Sequence, residues 1–213
     1  MHCLARWAFF GITLVLTGCA NMQSALDEAR GAENLAEWRV IPAQRAWIHV
    51  PQSLMPMERE HGREREQRLA LRNETVLPGD NQIYLRTVAG TPPGVMRMDR
   101  IIEQAGGVPA PFTTDDLATM RSIEDDAGAL IWAEWTSGAG TSCVFALRRL
   151  TPRHRVIPHG AGAMDVVMRN CVRGNAEQAL APLDAAAATL GASARSGPDG
   201  GLRPLSPLAA PLP

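Results

Sequence analysis

Residues 141–150 read TSCVFALRRL, and this stretch decides the fold class. Its residues 143–147 form a short apolar run that includes Val and Phe, and we interpret the stretch as a β-strand. Cys143, Phe145 and Leu147 fall on one side of such a strand, and the residues between them fall on the other. The stretch therefore predicts one strand of a β-sheet that has an apolar face.

Two neighbours are predicted for this strand. Residues 129–135 form a strand candidate, and the Gly-rich turn at 137–140 favours antiparallel pairing between it and the strand that follows. Residues 164–172 form a further strand, which carries Cys171. The second half of the chain therefore predicts a small antiparallel sheet.

Two helices and a hairpin complete the predicted fold. Thr113 with Asp116, and Asn175 with Gln178, have the spacing of helix-capping residues. Pro182 kinks or delays the second of these helices. The fold class is therefore α+β, a small antiparallel sheet with two packed helices. The hairpin is predicted from alternating residues at 82–88 and 95–101, which flank the turn at 89–94.

Three further stretches lead to local predictions. Residues 45–50 alternate and predict a strand, whereas the charge run at 57–68 predicts a solvated helix or loop. Trp132 and Trp135 point to opposite faces if their segment is a strand, so they form no common sugar-stacking platform there. Core packing is the prediction for at least one of them.

The N-terminus carries the pattern Leu16-Thr17-Gly18-Cys19 after an apolar run of about ten residues and Arg6. This pattern resembles a bacterial lipobox, in which the cysteine is lipidated and the chain is cut before it. A transmembrane anchor or an ordinary cleaved signal is the alternative. Since Ala20 and not aspartate follows Cys19, we expect the outer membrane, with the domain on its periplasmic face.

These features divide the chain into four parts. We predict a lipoprotein signal peptide over 1–18, a lipid-anchored tether over 19–36, an α+β domain over 37–190 and a disordered tail over 191–213. The tail is rich in Ala, Gly, Pro and Ser and has little to bury.

Charge and composition exclude several kinds of chemistry. The formal net charge of −1 gives no indication of nucleic acid as a partner. All 21 basic residues other than histidine are arginine. Without lysine there is no Schiff base, no Ser–Lys dyad and no phosphate-loop lysine.

Cys143 and Cys171 are the cysteines that remain once Cys3 leaves with the signal and Cys19 is lipidated. Two thiols in the oxidising periplasm predict one disulfide. The alternative is that Cys143 is a nucleophile with His154 nearby, although no motif surrounds it.

The remaining candidate site is a basic segment that contains Arg148, Arg149, Arg153 and Arg155. One interpretation is contact with an anionic surface, such as lipid headgroups, peptidoglycan or an acidic polysaccharide. The other is a solvated loop whose charge is balanced by the acidic residues at 124–126. We predict no metal site, no cofactor and no catalytic residues, because no motif for them is present.

The layout of residues 70–190 resembles the BcsN-type cellulose biosynthesis proteins of alphaproteobacteria. The resemblance rests on the two cysteine-bearing strands, and the matching positions are Cys143, Phe145, Ala146, Arg169 and Cys171. The chain departs from the pattern at 147, where Leu replaces the expected aromatic residue, and the loop at 151–162 lacks a distinctive motif. The resemblance implies an accessory role in exopolysaccharide synthesis or export, and it implies no reaction.

The expected function is thus that of a non-enzymatic outer-membrane lipoprotein, an accessory or scaffold for cellulose or exopolysaccharide biosynthesis and export. The expected partners are the membrane, through the N-terminal lipid, and components of a polysaccharide synthase or exporter. The alternative is an assembly lipoprotein of a pilus or secretion system. A third hypothesis, a glycan hydrolase, needs two carboxylates about 5–9 Å apart in a cleft.

Overall fold

The structure is a computed structural model, and it describes residues 37–62, 64–89, 97–137 and 139–191. The predicted signal peptide, the tether with Cys19, and the tail beyond Gly191 lie outside the described residues.

The described residues form one antiparallel sheet of eight strands in the order β1-β2-β3-β4-β8-β7-β6-β5. It consists of two four-stranded meanders that are joined by their last strands, β4 and β8. The strands are β1 (Arg39–Val40), β2 (Ser53–His61), β3 (Glu64–Leu71), β4 (Gln82–Val88), β5 (Arg121–Asp125), β6 (Gly128–Ser137), β7 (Thr141–Leu150) and β8 (Ala163–Arg173).

Four short α-helices and three 3₁₀ turns lie in the described part of the chain. The helices are α1 (Met98–Ala105), α2 (Thr114–Ala118), α3 (Ala176–Leu180) and α4 (Ala185–Thr189). The 3₁₀ turns are Ala43–Arg45, Pro158–Gly160 and Ala181–Leu183.

Strands β7 and β8 are buried on both sides along almost their whole length. Both sequences are apolar at most positions, as is typical of strands that are covered on two faces. The predicted strand at 141–150 is confirmed with its bounds, and its antiparallel pairing with β6 is confirmed as well.

One face of the sheet, which we call the C-terminal face, is covered by α3, α4 and the segment before β2. Val144 and Ala146 of β7 pack there with Trp132, Trp47 and Leu183. The opposite face, which we call the disulfide face, holds Cys143, Phe145, Leu147 and Cys171. Helices α1 and α2 contribute Ile101, Ile102 and the half-buried Leu117 to it.

The predicted α+β class with a small sheet and two packed helices is only partly right. The antiparallel sheet is confirmed, but it has eight strands, and the helices of the described residues form a short pair on each face. The extra strands come mainly from the first half of the chain, where prediction failed most.

The charge run at 57–68 is a β-hairpin, so the prediction of a solvated helix or loop is wrong. Its charges alternate on both sides of Gly62, which adopts a left-handed φ of 60°. Pairing places Arg59 opposite Glu66 and Glu60 opposite Arg65, with N–O distances of 2.6 and 2.9 Å. The hairpin therefore places side chains of opposite charge next to each other on neighbouring strands, which stabilises the pairing.

The second strand of the predicted hairpin, at 95–101, is also wrong, because helix α1 begins at Met98. Met98, Ile101, Ile102 and Ala105 have the spacing of one helical face, and all four pack on the disulfide face. The apolar residues from Met98 onward thus repeat with the period of a helix, about 3.6 residues, and not with the period of two that the prediction assumed.

The strand predicted at 45–50 is replaced by the first 3₁₀ turn and an irregular segment. Trp47 and Ile48 are both buried, which alternation along a half-exposed strand does not allow. The backbone N–H of Trp47 donates to Gln67 Oε1 at 2.9 Å instead of to a strand neighbour. The buried side-chain amide of Gln67 thus provides the hydrogen-bond acceptor that a neighbouring strand would otherwise supply to this N–H group.

Both predicted helix starts are confirmed. Asp116 accepts the N–H of Thr113 at 2.7 Å, and Asn175 and Gln178 bond each other's backbone at 2.9 and 3.1 Å. The predicted effect of Pro182 is a kink or a later start, whereas helix α3 starts at Ala176 and ends at Leu180, and Pro182 lies in the 3₁₀ turn that follows.

Candidate functional site

The predicted disulfide is present between Cys143 and Cys171, which lie directly opposite each other on β7 and β8. Both residues are fully buried in the disulfide face. The sulfur of Cys143 is bonded, so it is not available as a free nucleophile beside His154.

Arg148 and Arg149 are adjacent in sequence and lie on opposite faces of the sheet. Arg148 has a fully buried side chain on the C-terminal face and forms a bidentate pair with Asp125 at 2.5 and 2.7 Å. Arg149 pairs with Asp165 on the disulfide face at 2.6 and 2.9 Å. Neither guanidinium lies on an open surface, so the four predicted arginines do not share one anion-binding face.

The other two arginines lie in the loop between β7 and β8. Arg153 is exposed, whereas Arg155 is half-buried and donates to the carbonyl oxygen of Ala188 at 3.0 Å. Burial lowers the pKa of Arg155. Contact with an anionic surface therefore stays a prediction for Arg153 and Arg155 alone.

A row of charged side chains, which no local sequence pattern predicts, crosses five strands of the disulfide face. Arg59, Glu66, Arg86, Asp165 and Arg149 lie directly opposite one another from β2 to β7, with alternating sign. Glu66 and Asp165 are nearly inaccessible to solvent. Each residue alone resembles an ordinary surface charge of a strand, and only the register places them side by side.

Aromatic rings border this charged row. The guanidinium groups of Arg59 and Arg68 lie 4.6 and 4.8 Å from the ring centre of Trp38. Burial, together with the nearby Glu66 carboxylate, raises the pKa of Tyr84. Because Glu64 also pairs with Arg86, the charges of the row cancel. Opposite charges on neighbouring strands favour this register of the sheet, and we interpret the row as structural.

A second buried polar cluster lies beside the disulfide. Asn81 donates to the carbonyl oxygen of Cys171 and accepts its N–H, both at 2.8 Å. Arg169 donates to Asn81 Oδ1 at 2.9 Å, to Pro78 O at 2.7 Å and to Ala110 O at 2.6 Å. Burial lowers the pKa of Arg169. Asn81 thus extends the sheet beyond β4, and Arg169 fixes two loops onto it.

We expect Asn81→Ala to lower the free energy of unfolding by about 2 kcal/mol, because it leaves buried groups of Cys171 and Arg169 unpaired. Chemical denaturation measures the change. Val76→Ala is the matched control, since Val76 is 97% exposed in the same loop. Equal stability of the two variants would contradict the structural role assigned to Asn81.

A candidate binding site is a groove of about 440 Å³ on the C-terminal face, between β5–β6 and helices α3–α4. Its floor is apolar and includes Ile123, Leu130, Trp132 and Leu180. The indole N–H of Trp132 is buried and has no hydrogen-bond partner among the described residues. The groove therefore offers an apolar floor.

The rim of the groove is acidic. Four carboxylates line it, namely Asp125, Glu134, Glu177 and Asp184, against the single guanidinium of Arg121. Three of them already accept bonds. Asp125 pairs with Arg148, Glu134 pairs with Arg121 at 3.1 Å, and Asp184 caps α4 by accepting the N–H of Ala187 at 2.6 Å.

The hydrogen bond from Arg148 lowers the pKa of Asp125, which is the opposite of what a general acid needs. This bond favours the ionised form of the Asp125 carboxylate. The arrangement therefore suits binding of an apolar group that is flanked by positive charge or by hydroxyl groups.

Trp135 is the remaining candidate for a sugar platform. It packs against the disulfide face, whereas Trp132 belongs to the C-terminal face. The prediction that the two rings point to opposite faces is confirmed.

Two further properties of the described residues bear on the site. No cluster of three or more His, Cys, Asp or Glu side chains in this part of the chain is arranged to hold a metal ion. No helix among residues 37–62, 64–89, 97–137 and 139–191 is long and apolar enough to cross a membrane.

Fold and groove define a small domain with one antiparallel sheet that is covered on both faces. Comparison with known protein families, curated proteins and solved structures found no match for this chain. The resemblance to BcsN-type proteins stays a prediction from the sequence.

Proposed function

We propose that this chain is a lipid-anchored periplasmic accessory protein without enzymatic activity, which serves cellulose or exopolysaccharide production and export from the outer membrane. The observation that carries the proposal is the disulfide between Cys143 and Cys171. Structural disulfides form and persist in oxidising compartments such as the periplasm and are rare in the cytosol. An exported location also fits the lipobox that ends at Cys19.

The rest of the proposal is supported by the groove and by the sequence layout. The groove has three of its four carboxylates engaged in hydrogen bonds, so it favours binding over acid–base chemistry. The resemblance of residues 70–190 to BcsN-type proteins supplies the polysaccharide context. In this proposal, the lipid fixes the domain at the membrane and the groove contacts the synthesis or export machinery.

Affinity purification of the tagged protein from membranes of its own cells, followed by mass spectrometry, tests the partner. We expect subunits of a polysaccharide synthase or exporter. Recovery of pilus or secretion components instead would favour the assembly-lipoprotein alternative. Unchanged polysaccharide output after deletion of the gene would contradict the proposal directly.

The anchor has its own test. We expect Cys19→Ala to leave an uncleaved or soluble precursor, because no thiol remains to receive the lipid. Cys3→Ala is the matched control, since Cys3 lies within the predicted signal peptide, and it should be processed normally. Membrane fractionation and the mass of the N-terminal peptide measure both variants. A normally anchored Cys19→Ala protein would exclude the lipobox.

A further inference from the structure

Strand β5 forms the last edge of the sheet. It pairs with β6 on one side, and among the described residues no strand pairs with its other side. The N–H and C=O groups of successive residues point to alternate sides of a strand, so every second residue of β5 presents them along an open edge, which is a template for pairing with another strand. Ile123, at the centre of this edge and in the floor of the groove, is 49% exposed.

We propose that β5 pairs antiparallel with β5 of a second copy, about a two-fold axis at Ile123. The residues of β5 read RSIED, and this register places each member opposite a complementary one. Arg121 lies opposite the partner's Asp125, and Ile123 lies opposite the partner's Ile123. On the other face, Ser122 lies opposite the partner's Glu124, where a hydroxyl can donate to a carboxylate.

Two-fold symmetry and charge disfavour the neighbouring registers of the β5–β5 pairing. A two-fold axis between antiparallel strands is perpendicular to the sheet, so only even shifts keep each face continuous. A shift of two residues in one direction places Glu124 opposite the partner's Glu124, and like charges directly opposite are destabilising. A shift in the other direction leaves Asp125 outside the five-residue ladder. The register centred on Ile123 alone pairs all five residues.

The charges of this register extend pairs that the monomer already has. Arg121 bonds Glu134, and Asp125 bonds the buried Arg148. Pairing Arg121 with the partner's Asp125 therefore makes a chain of four alternating charges across the junction. A strand from an unrelated protein would have to supply both the apolar and the acidic residue, whereas a second copy brings them already in place.

The pairing also completes the groove. Because the axis is perpendicular to the sheet, the C-terminal faces of both copies lie on the same side. The two grooves then meet across the junction and share the Ile123 pair as a common floor. The dimer would offer a continuous apolar trough with acidic rims, twice the length of the groove in one copy.

The interface is small, since five residues a side bury less than the roughly 1,200 Å² of most stable complexes. We therefore expect a weak, concentration-dependent dimer. The test uses the full-length chain in detergent, with free thiols alkylated so that no stray disulfide joins two copies. Sedimentation measures its mass up to about 200 μM, a range that detects a weak dimer. Hydrogen exchange measures protection of the amides at 121–125.

We expect the mass to approach that of a dimer while these amides become slower to exchange. Ile123→Lys should weaken the association by at least about tenfold, since it opposes two positive charges at the axis. Arg121→Glu should do the same by facing Asp125, and it alters only an exposed side chain. Val76→Lys is the control, because it adds a charge at another exposed site and should leave the dimer unchanged.

Three results would overturn the proposal. The first is a monomer over the whole concentration range. The second is a dimer that neither Ile123→Lys nor Arg121→Glu weakens, which would place the interface elsewhere. The third is a monomer whose 121–125 amides are protected only when another protein is added, which would assign the edge to a different partner. None of these outcomes depends on lipidation or on the polysaccharide role.

Discussion

Replacing both half-cystines by alanine, Cys143→Ala with Cys171→Ala, is expected to lower the free energy of unfolding by about 3–4 kcal/mol. The disulfide closes a loop of 28 residues, and opening it restores conformational freedom mainly to the unfolded chain. The bond also joins the two most deeply buried strands of the sheet. We therefore expect the loss to appear in the global transition rather than as local fraying.

Guanidinium-induced unfolding of the oxidised protein and of the double variant measures this difference. The reduced wild-type protein is the control, because it lacks the disulfide but keeps both cysteine side chains. Its free energy of unfolding should be close to that of the double variant. Wild-type stability that does not change under reductant would show that the bond contributes little to holding β7 and β8 together.

Asp125→Ala is expected to cost about 3 kcal/mol of unfolding free energy. Its carboxylate is the bidentate partner of Arg148, whose side chain is 0% exposed. Removing one partner leaves a buried guanidinium uncompensated, which is among the most damaging single changes in a protein interior. Asp125 is itself partly exposed, so water can enter, and this keeps the expected loss at the lower end for such pairs.

Asp126→Ala is the matched control, because Asp126 is the exposed neighbour in the same turn. We expect it to change stability by less than about 0.5 kcal/mol. Equal losses for the two variants would mean that the turn, and not the pair with Arg148, carries the effect.

The same pair predicts a dependence on pH. Arg148 lowers the pKa of Asp125 in the folded protein, so at acid pH the unfolded chain binds the proton first. The stabilisation is therefore fully present above the unfolded pKa of about 4 and is lost as the pH falls through the lower folded value. The difference between wild type and Asp125→Ala should shrink over that acid range. A difference that stays constant with pH would contradict a charged pair.

The parts of the fold that the sequence predicts are those that short-range patterns determine. The strand at 141–150 and the caps at Thr113 and Asn175 depend on residues within a few positions of each other. The hairpin at 57–68 escapes prediction because a run of alternating charges has the composition of a solvated helix. The arrangement of its charges around Gly62 contains the information, since opposite signs lie at equal distances from the turn.

Most of the candidate site could not be predicted from the sequence, because its residues are brought together by long-range pairing rather than by short-range patterns. In the sequence, Arg148 belongs to a basic segment. Its partner Asp125 lies on β5, which is separated from the β7 strand of Arg148 by β6. The groove is built from β5, β6 and the C-terminal helices, which no local pattern brings together. The disulfide is predictable because it requires only a count of cysteines and a compartment.

The joining of the two meanders through β4 and β8 has a consequence for the order in which the chain folds. Gln82 at the start of β4 pairs with Arg169 of β8, so the two strands at the centre of the sheet are also the paired strands that lie furthest apart in the chain. Strand β4 emerges early but stays an open edge until β8 has been made. Such late closure slows folding and leaves a strand exposed to aggregation. The exposed edge of β4 would therefore be the part of the unfinished fold most open to pairing with another chain until β8 covers it.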